Sequence, residues 1–312
     1  MDNHIAVSFC IATHERKEMV YELVTKILTY PGDDIEVVVL DNASSDDSYE
    51  YLSKIKDDRY HIYQNMEWSR PEYSFYQVLE KGQGRWLFQI VDRDLINVDL
   101  IPLLIANLEE CEKYNVGFAV GGEMISDKGT MRIFEAGEQT ILQYALRQYH
   151  PTGEIFYKKA WDAIEDKAKY YYEDQKYKYA NGILQAIIGN TMASAELQFD
   201  ICDKAHYDAR VMTTMARSHD CDKGDSEDAP KVEWFWPANR YRLLINALEN
   251  LDLIQDKKVA VDLLLQNSVK KSFQSLHALW QVLPFTRTGP QKSRKKPNIL
   301  LNIIGTCIRK SR

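Results

Sequence analysis

The sequence predicts an α/β protein built around a parallel sheet. Over the first hundred residues, short apolar segments typical of buried strands alternate with segments whose apolar residues recur at helical spacing. The clearest strand covers residues 86–91, WLFQIV, which are apolar except for Gln89. Polar residues directly follow three of the predicted strands. Ligands bind at the carboxyl ends of strands in open α/β sheets, so the pattern that predicts the fold also predicts where a site lies.

The first half of the chain contains four predicted strands with three helices between them. An apolar stripe predicts a helix over 15–30, which Pro31-Gly32 ends. The segment 35–40 is apolar after Glu36, which predicts a central strand covered on both faces. A polar loop then offers helix caps before residue 48. The predicted strands are 5–12, 35–40, 60–63 and 86–91, and the predicted helices are 15–30, 48–55 and 71–81.

The second half continues with less regular elements. An amphipathic pattern predicts a helix over 100–114, and an apolar run predicts a strand over 117–122. A turn at Asp127-Lys128-Gly129 predicts a hairpin over 123–138. Further expected elements are a strand at 154–157 and helices at 183–188, 241–253 and 259–280.

Composition places the chain among ordinary globular proteins. Apolar residues make up 45% of it and charged residues 27%, which is typical of that class. Its five cysteines are scattered without a C-x-x-C pair, so a reducing compartment is expected and neither a zinc site nor a disulfide framework is indicated. The amino terminus lacks a signal-peptide pattern, and no run of about 18 apolar residues occurs. We therefore expect a cytoplasmic protein.

Charge is distributed unevenly along the chain. No Asp or Glu follows Asp262, whereas ten Lys and Arg residues do. Residues 1–262 therefore contain all 46 acidic residues but only 29 of the 39 basic ones. The acidic body argues against nucleic-acid binding. The tail, 286–312, alternates basic and apolar clusters, which suits an anionic membrane surface. A disordered basic tail or an oligomer contact is the alternative.

Two carboxylates, Asp92 and Asp94, stand directly at the end of the 86–91 strand. Unpaired charges are too costly to bury, so these side chains are expected to face water, a cation or both. Oxygen ligands of this kind suit Mg²⁺ or Mn²⁺, with a substrate phosphate completing the shell. The alternative is a solvated turn in which Arg93 neutralises its neighbours.

Two further strand ends carry polar residues. Thr13 and Glu15 follow the first strand. The alternative interpretation is that they are the N-cap and first-turn residues of the next helix. Asp41 and Asn42 follow the second strand. The alternative interpretation is that they form a turn through hydrogen bonds to their own backbone. If the strands are parallel neighbours, all three polar loops meet at one edge of the sheet.

Three segments in order resemble the amino-terminal half of a family 2 glycosyltransferase with the GT-A fold. They are VSFCIATHER at 7–16, VVVLDNASSDDS at 37–48 and GRWLFQIVDRD at 84–94. The resemblance covers about the first 120 residues. It implies a Rossmann-like nucleotide-diphospho-sugar transferase fold, here with a helical C-terminal extension, and transfer of a sugar from a nucleoside-diphosphate donor with inversion at the anomeric carbon.

The resemblance also assigns roles to individual residues. Asp41 would accept a hydrogen bond from the base, and Asp92 and Asp94 would form the metal-binding D-x-D, with Asp94 as the direct ligand and Asp92 nearer the ribose. The metal would be Mn²⁺ or Mg²⁺, which stabilises the departing diphosphate. The other residues expected to line the donor pocket are Thr13, Glu15, Arg16, Asn42, Ser44 and Arg93.

An inverting transferase needs a general base for the acceptor hydroxyl. Relatives supply an Asp or Glu at the start of a helix, and the matching position here falls near Asn181, whose amide cannot act as a base. Glu173 and Asp174 are the nearest carboxylates upstream, so we predict that one of them is catalytic. A solvated pair on a charged helix is the alternative.

The sequence therefore predicts a metal-dependent glycosyltransferase that uses a UDP-sugar and a glycan or lipid-linked glycan acceptor in bacterial surface polysaccharide synthesis. A non-catalytic GT-A-like module that binds sugar nucleotide or glycan beside another transferase is the alternative. The tail predicts a peripheral place at the inner face of the cell membrane, and an oligomer is compatible with it. The predicted organisation is a transferase domain at 1–215 (donor half 1–120, acceptor half 121–215), a mobile loop at 216–230, a helical extension at 231–285 and the tail at 286–312.

Overall fold

A computed structural model describes residues 4–121, 131–137, 140, 151–173, 180–197 and 201, all within one compact unit. These residues form an eight-stranded sheet covered by helices. The strands are β1 Val7–Thr13, β2 Ile35–Asp41, β3 Tyr60–Gln64, β4 Trp86–Val91, β5 Val116–Val120, β6 Arg132–Phe134, β7 Glu154–Tyr157 and β8 Ala193–Glu196. The helices are α1 Lys17–Leu28, α2 Ser48–Leu52, α3 Pro71–Leu79, α4 Ile101–Lys113, α5 Lys158–Asp162, α6 Glu165–Glu173 and α7 Ala180–Gly189.

The strand order is β3-β2-β1-β4-β7-β5-β8-β6. Strands β1 to β4 are parallel where they pair, so their carboxyl ends lie at one edge. Strand β7 runs antiparallel between β4 and β5, and β5 pairs in parallel with β8. The predicted α/β fold is therefore confirmed, with a parallel half that carries the predicted site and a mixed half beyond it.

Apolar side chains cover both faces of the sheet. Helices α1 and α4 pack on one face, and α3, α5 and α7 pack on the other. Strand β2 contributes Val37 and Val39 to the first layer and Val38 and Leu40 to the second. This alternation confirms that β2 is a central strand buried on both faces.

Most predicted boundaries lie within three residues of the observed ones. Helix α1 begins only at Lys17 because Glu15 has a left-handed backbone, with φ of 54°, which the first turn of a helix does not accommodate. Of the predicted hairpin over 123–138, residues 123–130 lie outside the described residues, and the second arm forms a strand. That arm is β6, and its partner among the described residues is β8, with which it runs antiparallel.

A buried carboxylate ties the strands together at the edge opposite the predicted site. Glu36 is 1% exposed, and its Oε1 accepts hydrogen bonds from the Ser8 hydroxyl at 2.5 Å and from the N–H groups of Gln83 at 2.5 Å and Gly84 at 3.2 Å. His61 Nε2 lies 3.5 Å from the other oxygen. The cluster joins β1, β2 and β3 to the loop before β4.

Candidate active site

The ends of three strands meet at one edge of the sheet. Thr13 is the register partner of Asp41 across β1 and β2, and the Asn42 N–H donates to the Thr13 carbonyl at 2.8 Å. The Thr13 hydroxyl in turn donates to Asp92 Oδ2 at 3.0 Å. The predicted clustering of the three polar loops is therefore confirmed, and it follows directly from the parallel register.

Asp92 is held by an ion pair. It is 2% exposed, and Arg16 Nη1 donates to its two oxygens at 2.9 and 3.1 Å. About a third of the Arg16 side chain remains exposed. Arg16 occupies the N-cap position of α1, and its side chain makes no capping hydrogen bond. The capping alternative for Thr13 and Glu15 is thus wrong, because Thr13 bonds the carboxylate at the end of β4 instead.

Asp41 is fully buried and accepts three hydrogen bonds. Its Oδ1 accepts from the Ser44 hydroxyl, and its Oδ2 accepts from the Ser44 N–H at 3.3 Å and from Gln64 Nε2 at 3.1 Å. The turn-forming alternative is correct in part, since Asp41 does bond the backbone three residues on. The bond from β3 shows that the same carboxylate also joins neighbouring strands.

Asn42 fixes the loop that follows β3. Its Nδ2 donates to the Ser69 carbonyl at 2.6 Å, while its Oδ1 accepts from the Ser69 N–H and hydroxyl at 3.1 and 2.8 Å and from Asn65 Nδ2 at 3.0 Å. Gln64, Asn65 and Ser69 were not predicted as site residues. The available signal was their position at the end of β3, or within five residues of it, since β3 pairs with the strand that ends at Asp41.

The segment after β1 is joined to the loop after β2. The Glu15 N–H donates to the Ser44 hydroxyl at 2.8 Å, and the Ser45 hydroxyl donates to Glu15 Oε1 at 2.5 Å. Ala43, like Glu15, has a left-handed backbone, with φ of 55°. Two strained residues at adjacent strand ends are typical of functional sites.

Asp94 is held from a distant part of the chain. It is 2% exposed, its N–H donates to the Val91 carbonyl at 2.9 Å, and its Oδ2 accepts from the Thr152 hydroxyl. The Val91 N–H donates to the same hydroxyl oxygen at 2.9 Å. Arg93, between the two carboxylates in sequence, is half-buried. Thr152, which precedes the strand at 154–157, was not predicted as a site residue.

The carboxylates fit a cation that the substrate helps to bind. Within the described ranges, no three His, Cys, Asp or Glu side chains assemble into a ready-made metal site. Mg²⁺ and similar ions are commonly held by one or two carboxylates together with substrate phosphates. Asp94 meets this requirement. Both oxygens of Asp92 already accept hydrogen bonds from Thr13 and Arg16, so Asp94 fits the role of direct ligand better.

Burial makes Cys10 and Cys111 poor nucleophiles. It raises the pKa of the Cys10 thiol well above its usual range, and the negative charge of Glu36 adds to this. Burial also raises the pKa of Cys111 to about 12. Since the thiolate is the reactive form of cysteine, neither residue is a nucleophile at neutral pH.

Residues 8–164 of the 312 match the family described as Glycosyl transferase family 2. The chain belongs to glycosyltransferase family 2. It is a glycosyltransferase with the GT-A fold. The matched region contains every predicted donor-site and metal-site residue from Thr13 to Asp94, and it also contains Thr152.

Solved structures are similar to this glycosyltransferase in fold. The structure of S. aureus TarS 1-349 in complex with UDP has a TM-score of 0.58 at 13% identity, covering 90% of this chain and 76% of that one. The complex of the same protein with UDP-GlcNAc has a TM-score of 0.57 at 16% identity, covering 88% and 76%. No curated protein matches the glycosyltransferase in sequence.

The predicted general bases fall at the limit of what the structure describes. Glu173 is the last residue of α6, but its side chain and Asp174 lie outside the described residues. Asn181 is the second residue of α7. The loop 216–230, the extension 231–285 and the tail 286–312 lie outside them as well. Among the described helices of the glycosyltransferase, none is both long enough and apolar enough to span a membrane.

Proposed function

We propose that this glycosyltransferase is an inverting, metal-dependent enzyme that moves a sugar from a UDP-sugar to a glycan or lipid-linked glycan in bacterial surface polysaccharide synthesis. The observation that carries the proposal is the convergence of Thr13, Asp41, Asp92 and Asp94 at the carboxyl edge of a parallel sheet. The fold similarity to TarS in complex with UDP and UDP-GlcNAc supports UDP as the nucleotide.

The donor would lie along the edge that β2, β1 and β4 share. Asp41 would accept a hydrogen bond from the base, next to Asn42 and Ser44. Arg16 would place its partly exposed guanidinium near the diphosphate, since guanidinium groups pair well with phosphate oxygens. Its ion pair with Asp92 would hold that charge in place before the donor arrives.

In the proposed reaction, the acceptor oxygen attacks the anomeric carbon on the face opposite the diphosphate. The bond from that carbon to the diphosphate oxygen breaks, and its electron pair leaves with the diphosphate. The acceptor proton passes to Glu173 or Asp174. A divalent ion bound at Asp94 would supply positive charge that stabilises the diphosphate as it departs.

Nucleotide binding tests the donor assignment. We expect UDP to raise the unfolding temperature of the protein more than GDP, CDP or TDP does, and Mn²⁺ to tighten UDP binding. At 100 times its dissociation constant, a ligand stabilises a protein by about 2.7 kcal/mol. Thermal unfolding and calorimetry with and without Mn²⁺ measure both effects. Absence of binding by all four nucleotides would refute the donor site.

Substitution of the two candidate bases tests the mechanism. We expect either Glu173→Gln or Asp174→Asn to lower kcat by about 10² to 10⁴-fold, because a general base contributes that much, with UDP affinity unchanged. Asp166→Asn is the matched control, since Asp166 is an exposed carboxylate on the same helix α6. Wild-type turnover in both variants would rule out this assignment.

The second candidate function is the non-catalytic binding module. The observation that favours it is Asn181, which stands at the start of α7 where relatives are expected to carry the base. This module would bind UDP with Mn²⁺ but would neither hydrolyse UDP-sugar nor transfer its sugar. Donor hydrolysis that depends on Mn²⁺ therefore separates the two functions.

The proposed place of the enzyme in the cell rests on the tail. Its alternating basic and apolar clusters at 286–312 support a peripheral position at the inner face of the cell membrane, where about 1 kcal/mol per Lys or Arg favours an anionic surface. A lipid-linked acceptor would be presented at the same surface.

A further inference from the structure

The Thr152 hydroxyl makes two hydrogen bonds with the segment that ends in Asp94, one as a donor and one as an acceptor. It donates to Asp94 Oδ2 and accepts the Val91 N–H at 2.9 Å. The Asp94 N–H donates to the Val91 carbonyl at 2.9 Å. The N–H and the carbonyl of Val91 therefore both make hydrogen bonds. These bonds hold the turn that contains Arg93 and Asp94.

Thr152 is itself fixed by the strands on either side. It is 1% exposed, and the Gly153 N–H donates to the Gln89 carbonyl at 3.1 Å while the Gly121 N–H donates to the Gly153 carbonyl at 2.8 Å. Gly153 has φ of 98°, a conformation that favours glycine. The first bond continues the antiparallel pairing of β7 with β4, and the second continues its antiparallel pairing with β5. The backbone next to Thr152 is therefore bonded to both β4 and the segment that follows β5.

We propose that Thr152 is a positioning residue that orients the Asp94 carboxylate for the divalent cation of the donor complex. The inference rests on the proposed function, because it assumes that Asp94 binds that cation. A carboxylate bonded through one oxygen cannot rotate about its Cβ–Cγ bond without losing that bond. Partners that orient a metal ligand in this way change metal affinity by about 10- to 100-fold.

The arrangement links the two halves of the enzyme. Thr152 is 58 residues beyond Asp94 in sequence, directly precedes β7 and lies within the predicted acceptor half, 121–215. The same hydroxyl completes the hydrogen bonding of β4 where the strand ends. The geometry of the metal ligand therefore depends on a turn outside the donor half.

Thr152→Val tests the proposal, because valine keeps the shape of the side chain and removes the hydroxyl. We expect MnCl₂, titrated into protein saturated with UDP, to bind about 10- to 100-fold more weakly to the variant. We expect UDP affinity in EDTA to stay within about twofold of wild type, because no metal takes part there. Calorimetry and Mn²⁺ electron paramagnetic resonance measure these constants without relying on activity.

Two control variants distinguish a loss of Asp94 orientation from a general loss of protein stability. Thr152→Ser keeps the hydroxyl and is expected to bind MnCl₂ as wild type does. Thr140→Val removes another fully buried hydroxyl, one that bonds the Phe134 carbonyl and Ser194 at the far side of the sheet, and it too is expected to leave MnCl₂ binding unchanged. If Thr152→Val does not fold, Thr152→Ala provides the same comparison.

The outcomes are distinct. Weak MnCl₂ binding in Thr152→Val alone supports the proposal. Binding equal to wild type in that variant, or equal weakening in Thr140→Val, overturns it. If wild-type protein with UDP binds no MnCl₂, the proposed metal-dependent function fails, and the inference about Thr152 fails with it. If wild type binds MnCl₂ and Thr152→Val binds it equally well, only the inference about Thr152 fails.

Discussion

Asp94→Asn is expected to lower kcat/KM for sugar transfer by on the order of 10³-fold. Asparagine has the shape of aspartate and can still accept the hydrogen bond from Thr152, so the fold is expected to persist. The substitution removes the negative charge that is proposed to bind the cation. Without the cation, the charge on the departing diphosphate is less well stabilised in the transition state.

Steady-state kinetics with and without Mn²⁺, together with UDP affinity, measure this effect. Mn²⁺ should no longer tighten UDP binding in the variant. Asp58→Asn is the matched control, because Asp58 is an exposed carboxylate just before β3, at the opposite edge of the sheet. Wild-type stimulation by Mn²⁺ in Asp94→Asn would remove Asp94 from the metal site.

Glu36→Ala is expected to lower the free energy of unfolding by about 3 kcal/mol or more, because it leaves buried donors without their acceptor. The hydroxyl of Ser8 and the N–H groups of Gln83 and Gly84 all donate to one oxygen of Glu36. Truncation also leaves a cavity where the carboxylate was. Few single substitutions combine these losses.

Urea unfolding measures this loss of stability. Glu36→Gln keeps an acceptor oxygen and should recover part of the stability, whereas Glu50→Ala, at an exposed position on α2, should change it by less than about 0.5 kcal/mol. The cluster lies at the edge opposite the proposed donor site, so folded Glu36→Ala should bind UDP with wild-type affinity. A loss below about 1 kcal/mol would show that the buried cluster is not a stabilising element.

The sequence by itself determined the elements of the parallel half and the residues of its edge. Apolar periodicity is local, so strands such as 86–91 and 35–41 could be predicted from their own residues. Three ordered motifs identified the family. Asp41, Asp92 and Asp94 followed from their positions at strand ends, because parallel strands bring their carboxyl ends together.

Only the tertiary structure decided which of these side chains bond to each other. The ion pair of Arg16 with Asp92 spans 76 positions, and the bond from Thr152 to Asp94 spans 58. Both depend on strand register and on β7 running antiparallel between β4 and β5. No local pattern encodes such pairing, because it is set by the packing of segments that are distant in the chain.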